Sequence, residues 1–405
     1  MKKYLHLPIA SAAAVVLMTV LLFLTVGGGL RGAGAGTEEA PEDSNAAGKT
    51  YTLEELQEDF ARVRAVVEKK HAMFFADEEE IEEVFDRRYE LLEEGMSELE
   101  FFRVLSPAVA ALNCGHSNVL LSRAYEQHIK SHASLLPLEV TALQQGLYVV
   151  ESKDSERIPP GSEILSINGE SSREIRNTIY RSVSSDGGNG GRISELIDNQ
   201  FPLLYHSLID ESESFTVRYR VPGTAGVPET AGVQTNIRSI TLQGVSFTEL
   251  WGEDHSIVSI GVLLDMTEIK SDYAARILDD YAVLSIGSFI LGQRDFSSFL
   301  EDFFLEIEEK SIEKLVIDLR GNWGGTPKPA ALLLAYLSPE PVRYFNSDAP
   351  FYMFNYKRLR KPKEHAFAGT VYVLMDGCCF STTAHFISLL KHHGIATLVG
   401  EEAGG

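Results

Sequence analysis

The sequence predicts an α/β fold in its C-terminal part, preceded by a helical lobe and a β-rich region. From about Phe247 onward, apolar runs typical of buried strands alternate with helical segments, which predicts strand–helix–strand layering. Helical periodicity follows Tyr51, and alternating strand-like patterns occupy roughly residues 135–243. With 405 residues and 44% hydrophobic content, the chain is long enough for two to three domains.

The pattern of residues 1–36 predicts either an export signal or a membrane anchor. Lys2 and Lys3 precede an uncharged run from Leu7 to Val26, and Ala33-Gly-Ala35 is similar to a signal cleavage site. The run is longer than a signal core of about 7–15 residues and approaches the ~20 needed to span a bilayer. Both alternatives stay open, and both place the remaining chain outside the cytoplasm.

Residues 37–49 are small, acidic and aperiodic, which predicts a flexible linker. A helical lobe then covers residues 50–125. Capping boxes at Thr52-x-x-Glu55 and Ser97-x-x-Glu100 predict two helix starts, and another helix is expected from Glu78 to Glu94.

The alternating pattern of residues 126–245 predicts a β region. Strand-like patterns lie at Leu138–Val140, Gly146–Val150, Glu163–Asn168 and Phe215–Val221. The run Ile158–Gly169 resembles the core of PDZ-like domains, which bind peptide ends at a sheet edge. An ordinary antiparallel region of a larger domain is an equally good interpretation. The glycine-rich stretch Ser184–Gly191 is followed by no Lys-Ser/Thr pair, which disfavours a phosphate-binding loop.

Residues 246–405 carry the α/β pattern. Strands are expected at Ser256–Ile260, Tyr281–Ile286, Leu315–Leu319, Thr370–Met375 and Ile395–Val399, with helices at Phe296–Glu309 and Ser381–Gly394.

Ser381 is the first candidate site residue, because it opens a helix directly after the run Thr370–Met375. A hydroxyl at a strand-to-helix turn lies where backbone N–H groups and the helix dipole stabilise developing negative charge. Serine is also a preferred helix N-cap, so a purely structural role is the competing interpretation.

Three further residues complete a candidate acyl-transfer site. Gly324 and Gly325 would let the main chain approach a substrate carbonyl and direct an N–H toward it. His116 follows a glycine just beyond a helical segment. Each alone is compatible with an ordinary turn or a buried histidine, but with Ser381 they supply a nucleophile, a base and an oxyanion donor.

The segments LVIDLRGNWGG, VYVLMDGCCFSTTAHF and GIATLVGEEAGG, in this order, resemble the catalytic domain of S41 serine peptidases. That family includes the C-terminal processing peptidases and the tricorn-like enzymes. LNCGHSNV and IPPGSEILSINGESS are similar to its earlier segments, so the resemblance extends from about Tyr51 to Gly405. It implies a crotonase-like ββα catalytic domain that hydrolyses peptide bonds, and an oxyanion hole near Gly324, Gly325 and Thr382.

The resemblance offers two ways of activating the serine. In the processing branch a lysine acts as base, and on Gly400–Gly405 that lysine would fall directly after the last residue. Gly404 stands where that branch has an aromatic residue, and the G-H-S segment supplies His116. These observations favour Ser381 with His116, and the Ser/Lys type is the alternative if a lysine follows Gly405.

The family domain continues past the point where this chain ends, so the resemblance implies a C-terminally truncated domain. We expect the missing part to hold further strands and an acidic residue that orients His116. On this view the 405-residue chain alone would have weak or absent peptidase activity and poor solubility.

The acidic composition of the chain limits the kinds of molecule that it can bind. Asp+Glu of 58 against Lys+Arg of 36 gives a formal charge of −22, which disfavours nucleic acid. The expected partners are peptide or protein substrates, and the membrane if the N-terminal segment is uncleaved. Neither H-E-x-x-H nor C-x-x-C occurs, so no metal and no cofactor are predicted.

An odd number of cysteines leaves at least one free thiol. If His116 meets Ser381, a disulfide from Cys114 to Cys378 or Cys379 would come within reach. Cys379 with His116 is a lesser alternative nucleophile pair.

Two function classes therefore remain. The favoured one is an extracytoplasmic serine peptidase, secreted or membrane-anchored. The other is a catalytically inactive, membrane-tethered protein that binds peptides.

Overall fold

The computed structural model describes most of the chain after the N-terminal segment. The described residues are 21–23, 48–71, 76–143, 146–152, 158–222, 236–252, 273–290, 293–346 and 354–405. They divide into two compact units, one within residues 20–264 and one within residues 265–405. Most of the predicted signal or anchor segment and the strand expected at Ser256–Ile260 lie outside the described residues. Within the described part, no helix is long and apolar enough to span a membrane.

The first unit begins with helices. They are α1 (Leu53–Lys70), α2 (Glu78–Tyr89), α3 (Glu98–Ala110) and α4 (Arg123–His132). Both predicted capping boxes are present, with Thr52 and Ser97 accepting from the N–H groups of Glu55 and Glu100. Two short strands, β1 (Leu21–Phe23) and β2 (Asn118–Leu120), pair in parallel.

Helix α2 ends at Tyr89 rather than at the predicted Glu94. The next N–H groups bond three residues back, Leu91 to Arg88 and Leu92 to Tyr89, so the chain leaves the α-helix through tight turns.

The β region of the first unit is one antiparallel sheet with two long helices. The strands are β3 (Leu138–Leu143), β4 (Gly146–Ser152), β5 (Glu163–Ile167), β6 (Glu170–Ser171), β7 (Ser214–Arg220) and β8 (Ile237–Gln243). The helices are α5 (Ser172–Ser182), α6 (Gly190–Leu208) and the short α7 (Phe247–Trp251). The sheet order is β3-β4-β5-β7-β8, with β6 paired to β5. The predicted strands are therefore present, and their PDZ-like identity stays a prediction.

Helix α6 carries a buried histidine that makes stability pH-dependent. His206 is 6% exposed, and neither ring nitrogen has a hydrogen-bond partner among the described residues. Burial, with a smaller effect of the Arg103 charge, lowers the pKa of His206 to about 4. The imidazole is therefore neutral in the folded chain at neutral pH.

A pH titration tests this effect. Because the pKa of His206 is lower in the folded chain, the unfolded state binds its proton first, and stability falls as the pH drops from 6.5 to about 4. We expect His206→Gln to show a flatter decline of unfolding free energy over this interval than the wild type.

The second unit is a five-stranded sheet with interposed helices. The strands are β9 (Tyr273–Ile277), β10 (Ala282–Ile286), β11 (Lys314–Asp318), β12 (Thr370–Met375) and β13 (Ala396–Gly400). The helices are α8 (Gln293–Glu309), α9 (Pro327–Leu337), α10 (Phe354–Lys357) and α11 (Thr382–His392). Strand order is β13-β12-β11-β10-β9, and all pairs except β9–β10 are parallel. The α/β layering is thus confirmed, while the crotonase-like detail stays a prediction.

The parallel arrangement places the candidate site. Strands β10, β11 and β12 end at Ile286, Asp318 and Met375, so the loops that follow them emerge at the same edge of the sheet. Ligand sites of open parallel sheets form at this edge.

Candidate active site

The backbone of Ser381 differs from that of every other serine preceding a helix in the described residues. Ser97, Ser122, Ser171 and Ser246 have φ between −72° and −65°, and each side chain caps its helix. Ser381 has φ 57° and ψ −120°, and its side chain makes no capping hydrogen bond. The N-cap-only interpretation therefore does not describe its geometry.

This conformation is costly for a residue with a Cβ, on the order of 1–3 kcal/mol, and such residues cluster at functional sites. A strained strand-to-helix turn is also the geometry that exposes the hydroxyl of a nucleophilic serine in other hydrolase folds. The turn therefore suits Ser381 to nucleophilic chemistry.

Gly324 is in direct contact with the Ser381 turn. Its φ is 105°, and a Cβ at this position would lie 2.7 Å from the Phe380 oxygen and 3.0 Å from the Ser381 Cβ. Only glycine allows the loop after β11 to approach the turn this closely.

Gly325 fixes the other side of the same loop. It has φ 136°, and a Cβ there would lie 2.5 Å from the backbone carbon of Phe289. The Thr382 hydroxyl donates to the Gly325 carbonyl at 2.6 Å, which ties the loop to the start of α11.

The three backbone N–H groups expected to bind the oxyanion differ in whether they already donate a hydrogen bond. The Gly324 N–H already donates to Asn322 Oδ1 at 2.9 Å. Among the described residues, the Gly325 N–H has no acceptor. Thr382 is the first residue of α11, so its N–H has no intrahelical acceptor and lies at the positive end of the helix dipole.

Asn322 is a site residue that sequence reasoning missed. It is fully buried, and its Nδ2 donates to the Ile286 carbonyl at 2.9 Å. Its Oδ1 accepts from the Gly324 N–H at 2.9 Å and from the Thr383 hydroxyl at 2.6 Å. One amide thus joins the end of β10, the glycine loop and helix α11. The only local signal was its position two residues before the glycine pair.

Removing one partner of this amide should loosen the site. We expect Thr383→Val to lower the free energy of unfolding by about 1–3 kcal/mol, because it leaves Asn322 Oδ1 short of a buried donor. Thr383→Ser keeps the hydroxyl and should cost less. In a double-mutant cycle the effects of Thr383→Val and Asn322→Ala should be non-additive, and strict additivity in chemical denaturation would contradict this account.

Asp376 also connects the loop after β11 to the loop after β12, and the sequence alone did not identify it as a site residue. Its two carboxylate oxygens accept from the Gly321 N–H at 2.9 Å and from the Cys378 N–H at 3.0 Å. The loops after β11 and β12 are therefore held together on both sides of Ser381.

Cys379 and His385 are two other reactive side chains near the Ser381 turn, and each makes contacts that indicate a structural role. Cys379 is fully buried, and its thiol lies 3.1 Å from the Leu319 carbonyl, as expected of an inert structural cysteine. This geometry does not favour the Cys379 nucleophile alternative. No disulfide is present among the described residues, so the bond considered from the sequence is not observed.

His385, one helical turn after Ser381, is also held by contacts with neighbouring residues. Its Nε2 donates to the Tyr344 carbonyl at 2.8 Å, and its ring packs against Tyr344 and Phe345. These contacts identify a structural histidine.

His116, the expected base, belongs to the first unit and lies in the loop between α3 and β2. It is 5% exposed, and burial, with a smaller contribution from Arg192, lowers its pKa to about 4. It is therefore neutral at pH 7, the form that a general base requires. Its pairing with Ser381 stays a prediction.

Residues 280–405 match the model of peptidase family S41. This region of the chain is therefore similar to the S41 peptidases. The matched region contains Ser381, Gly324, Gly325 and Thr382, while His116 lies outside it. The family assignment supports a serine peptidase in general terms.

Solved structures are similar to this chain at the level of the fold. Mature CPAF complexed with lactacystin is 13% identical to this chain with a TM-score of 0.55, over 87% of this chain and 85% of that one. Mature CPAF alone is 13% identical with a TM-score of 0.53, over 87% and 84%. No curated protein matches the sequence significantly.

Proposed function

We propose that this protein is an extracytoplasmic serine peptidase in which Ser381 attacks the scissile carbonyl and His116 is the general base. The observation that carries the proposal is the backbone of Ser381, which departs from the capping geometry of the other serines toward a strained strand-to-helix turn. The location rests on the N-terminal sequence, whose charges and apolar run are typical of exported proteins.

In the proposed reaction, neutral His116 removes the Ser381 hydroxyl proton as the oxygen attacks the carbonyl carbon. The N–H groups of Gly325 and Thr382 bind the developing oxyanion, and that of Gly324 joins them if the Asn322 side chain releases it. His116 then gives its proton to the leaving amine. In the second half of the reaction, water attacks the acyl-enzyme and gives a proton to His116. His116 returns that proton to the Ser381 oxygen as its bond to the acyl carbon breaks.

Covalent labelling with a fluorophosphonate tests the nucleophile, because the reagent reacts with an activated serine. We expect labelling of the wild-type chain and none of Ser381→Ala. The matched control is Ser388→Ala, two turns along the same helix, whose exposed hydroxyl donates only to the His385 carbonyl. Equal labelling of wild type and Ser381→Ala would overturn the assignment. Peptide binding without any labelling would instead support the catalytically inactive peptide-binding protein.

A further inference from the structure

Three potential metal ligands meet in the first unit. Donor atoms of Cys114, His116 and Asp186 all lie within 4.8 Å of one another. We propose that these residues form a binding site for a divalent metal of the zinc class. The proposal has a consequence that rests on the proposed function, since a metal on His116 would remove the general base and inhibit the peptidase.

The chain holds this cluster together through backbone contacts. Cys114 and His116 share one short turn after α3, and Asp186 begins the 3₁₀ turn after α5. The Gly115 N–H donates to Asp186 Oδ1 at 2.6 Å, and the Gly187 N–H donates to the Asn113 carbonyl at 2.9 Å. The first bond orients the carboxylate and occupies one of its oxygens. Such outer contacts are what hold metal-ligating carboxylates in place.

The donor set fits zinc better than other common ions. One thiolate, one imidazole and one carboxylate are all zinc ligands, and three protein ligands leave a fourth position for water. The thiolate and carboxylate charges balance Zn²⁺, whereas Mg²⁺ and Ca²⁺ prefer oxygen ligands alone. With Zn–ligand bonds of 2.0–2.3 Å, donor atoms in a tetrahedral site lie about 3.5 Å apart. Because 4.8 Å is the upper limit of the present separations, zinc binding would require the donor atoms to approach by at most about 1.3 Å.

Cys114 lies where a small ion reaches the sulfur more readily than a peptide does. Cys114 is 8% exposed, which leaves little room for a peptide at the sulfur. A small ion has easier access, because Asp186 is half-buried and Gly187 beside it is exposed.

One charge opposes the metal. The Arg192 side chain is 2% exposed and lies close enough to His116 and Asp186 to affect the pKa of each. We therefore expect affinity below that of structural zinc sites, with binding that is reversible by a chelator.

The test is equilibrium dialysis of the full chain against ZnCl₂, with CoCl₂ as a spectroscopic probe whose charge-transfer absorption reports a metal–thiolate bond. We expect one zinc per chain and a cobalt–thiolate band. Cys114→Ser should abolish the band, and Cys114→Ser and Asp186→Asn should each weaken zinc binding about tenfold or more. Cys378→Ser, which removes a thiol of the second unit, should leave both signals unchanged. Loss of the band in Cys378→Ser, or no binding by the wild type, would overturn the site.

Fluorophosphonate labelling then separates the two parts of the proposal. Zinc should suppress labelling of the wild type, and a chelator should restore it. For Cys114→Ser, labelling with zinc is compared with labelling of the same variant without zinc, and the suppression should be smaller than in the wild type. Binding at Cys114 without suppression would support the metal site and overturn its inhibitory effect. Absence of labelling even without zinc would count against the proposed function and leave the dialysis result standing.

Discussion

Ser381→Ala and His116→Ala should each lower kcat/KM for peptide hydrolysis by roughly 10³–10⁶-fold in the full chain. A serine hydroxyl is a weak nucleophile at neutral pH without a base, and a base has no role without the nucleophile. The double variant should therefore be little worse than either single variant. The measurement is hydrolysis of an unstructured protein substrate at pH 7, with circular dichroism to confirm folding.

Two controls make this result specific. Ser388→Ala and His132→Ala change the same residue types at exposed positions and should retain wild-type rates. If His116→Ala keeps most of its activity, the histidine assignment is wrong and the Ser/Lys alternative returns.

Gly324→Ala should lower activity by about 10²-fold or more and reduce the free energy of unfolding by roughly 2–6 kcal/mol. The added Cβ would lie 2.7 Å from the Phe380 oxygen and 3.0 Å from the Ser381 Cβ, so the turn that carries the nucleophile must move. Thermal or chemical denaturation gives the stability, and the rate of fluorophosphonate labelling reports the position of Ser381.

Gly321→Ala is the matched control, since Gly321 lies in the same loop and also has a positive φ, 75°. A Cβ there meets no atom within 4 Å, so only the backbone cost of about 1–2 kcal/mol is expected. Equal effects of the two variants would show that close contact with the Ser381 turn does not matter.

Local patterns allowed most of the elements to be predicted. The capping boxes at Thr52 and Ser97 and the strand at Thr370–Met375 were predicted with their observed bounds or nearly so. These features depend on residues a few positions apart, which is why sequence alone suffices. The glycine pair and Ser381 were recognised by the same kind of local signal.

The contacts that shape the site were not predictable in this way. Asn322 and Thr383 are 61 residues apart, and Gly321 and Asp376 are 55 apart. Asn322 looked like an ordinary turn residue. Its burial and its bonds follow only from the parallel register of β10, β11 and β12.

The cluster of Cys114, His116 and Asp186 shows the same limit. Metal motifs such as C-x-x-C have short spacings, whereas Asp186 lies 71 residues beyond the Gly115 N–H that holds it. Short spacings alone predict no metal, and equilibrium dialysis tests that prediction against the proposed site.

The sequence by itself determined the similarity of residues 280–405 to S41 peptidases, the α/β layering of the second unit and the identity of its serine and glycines. These features depend on residue type and short-range periodicity. Tertiary structure decided the conformation of Ser381. A φ of 57° and a ψ of −120° persist at a residue with a Cβ only when surrounding contacts compensate for the strain. Here those contacts come from Gly324 and from the hydrogen bonds of Asn322 and Thr382, which no local pattern encodes.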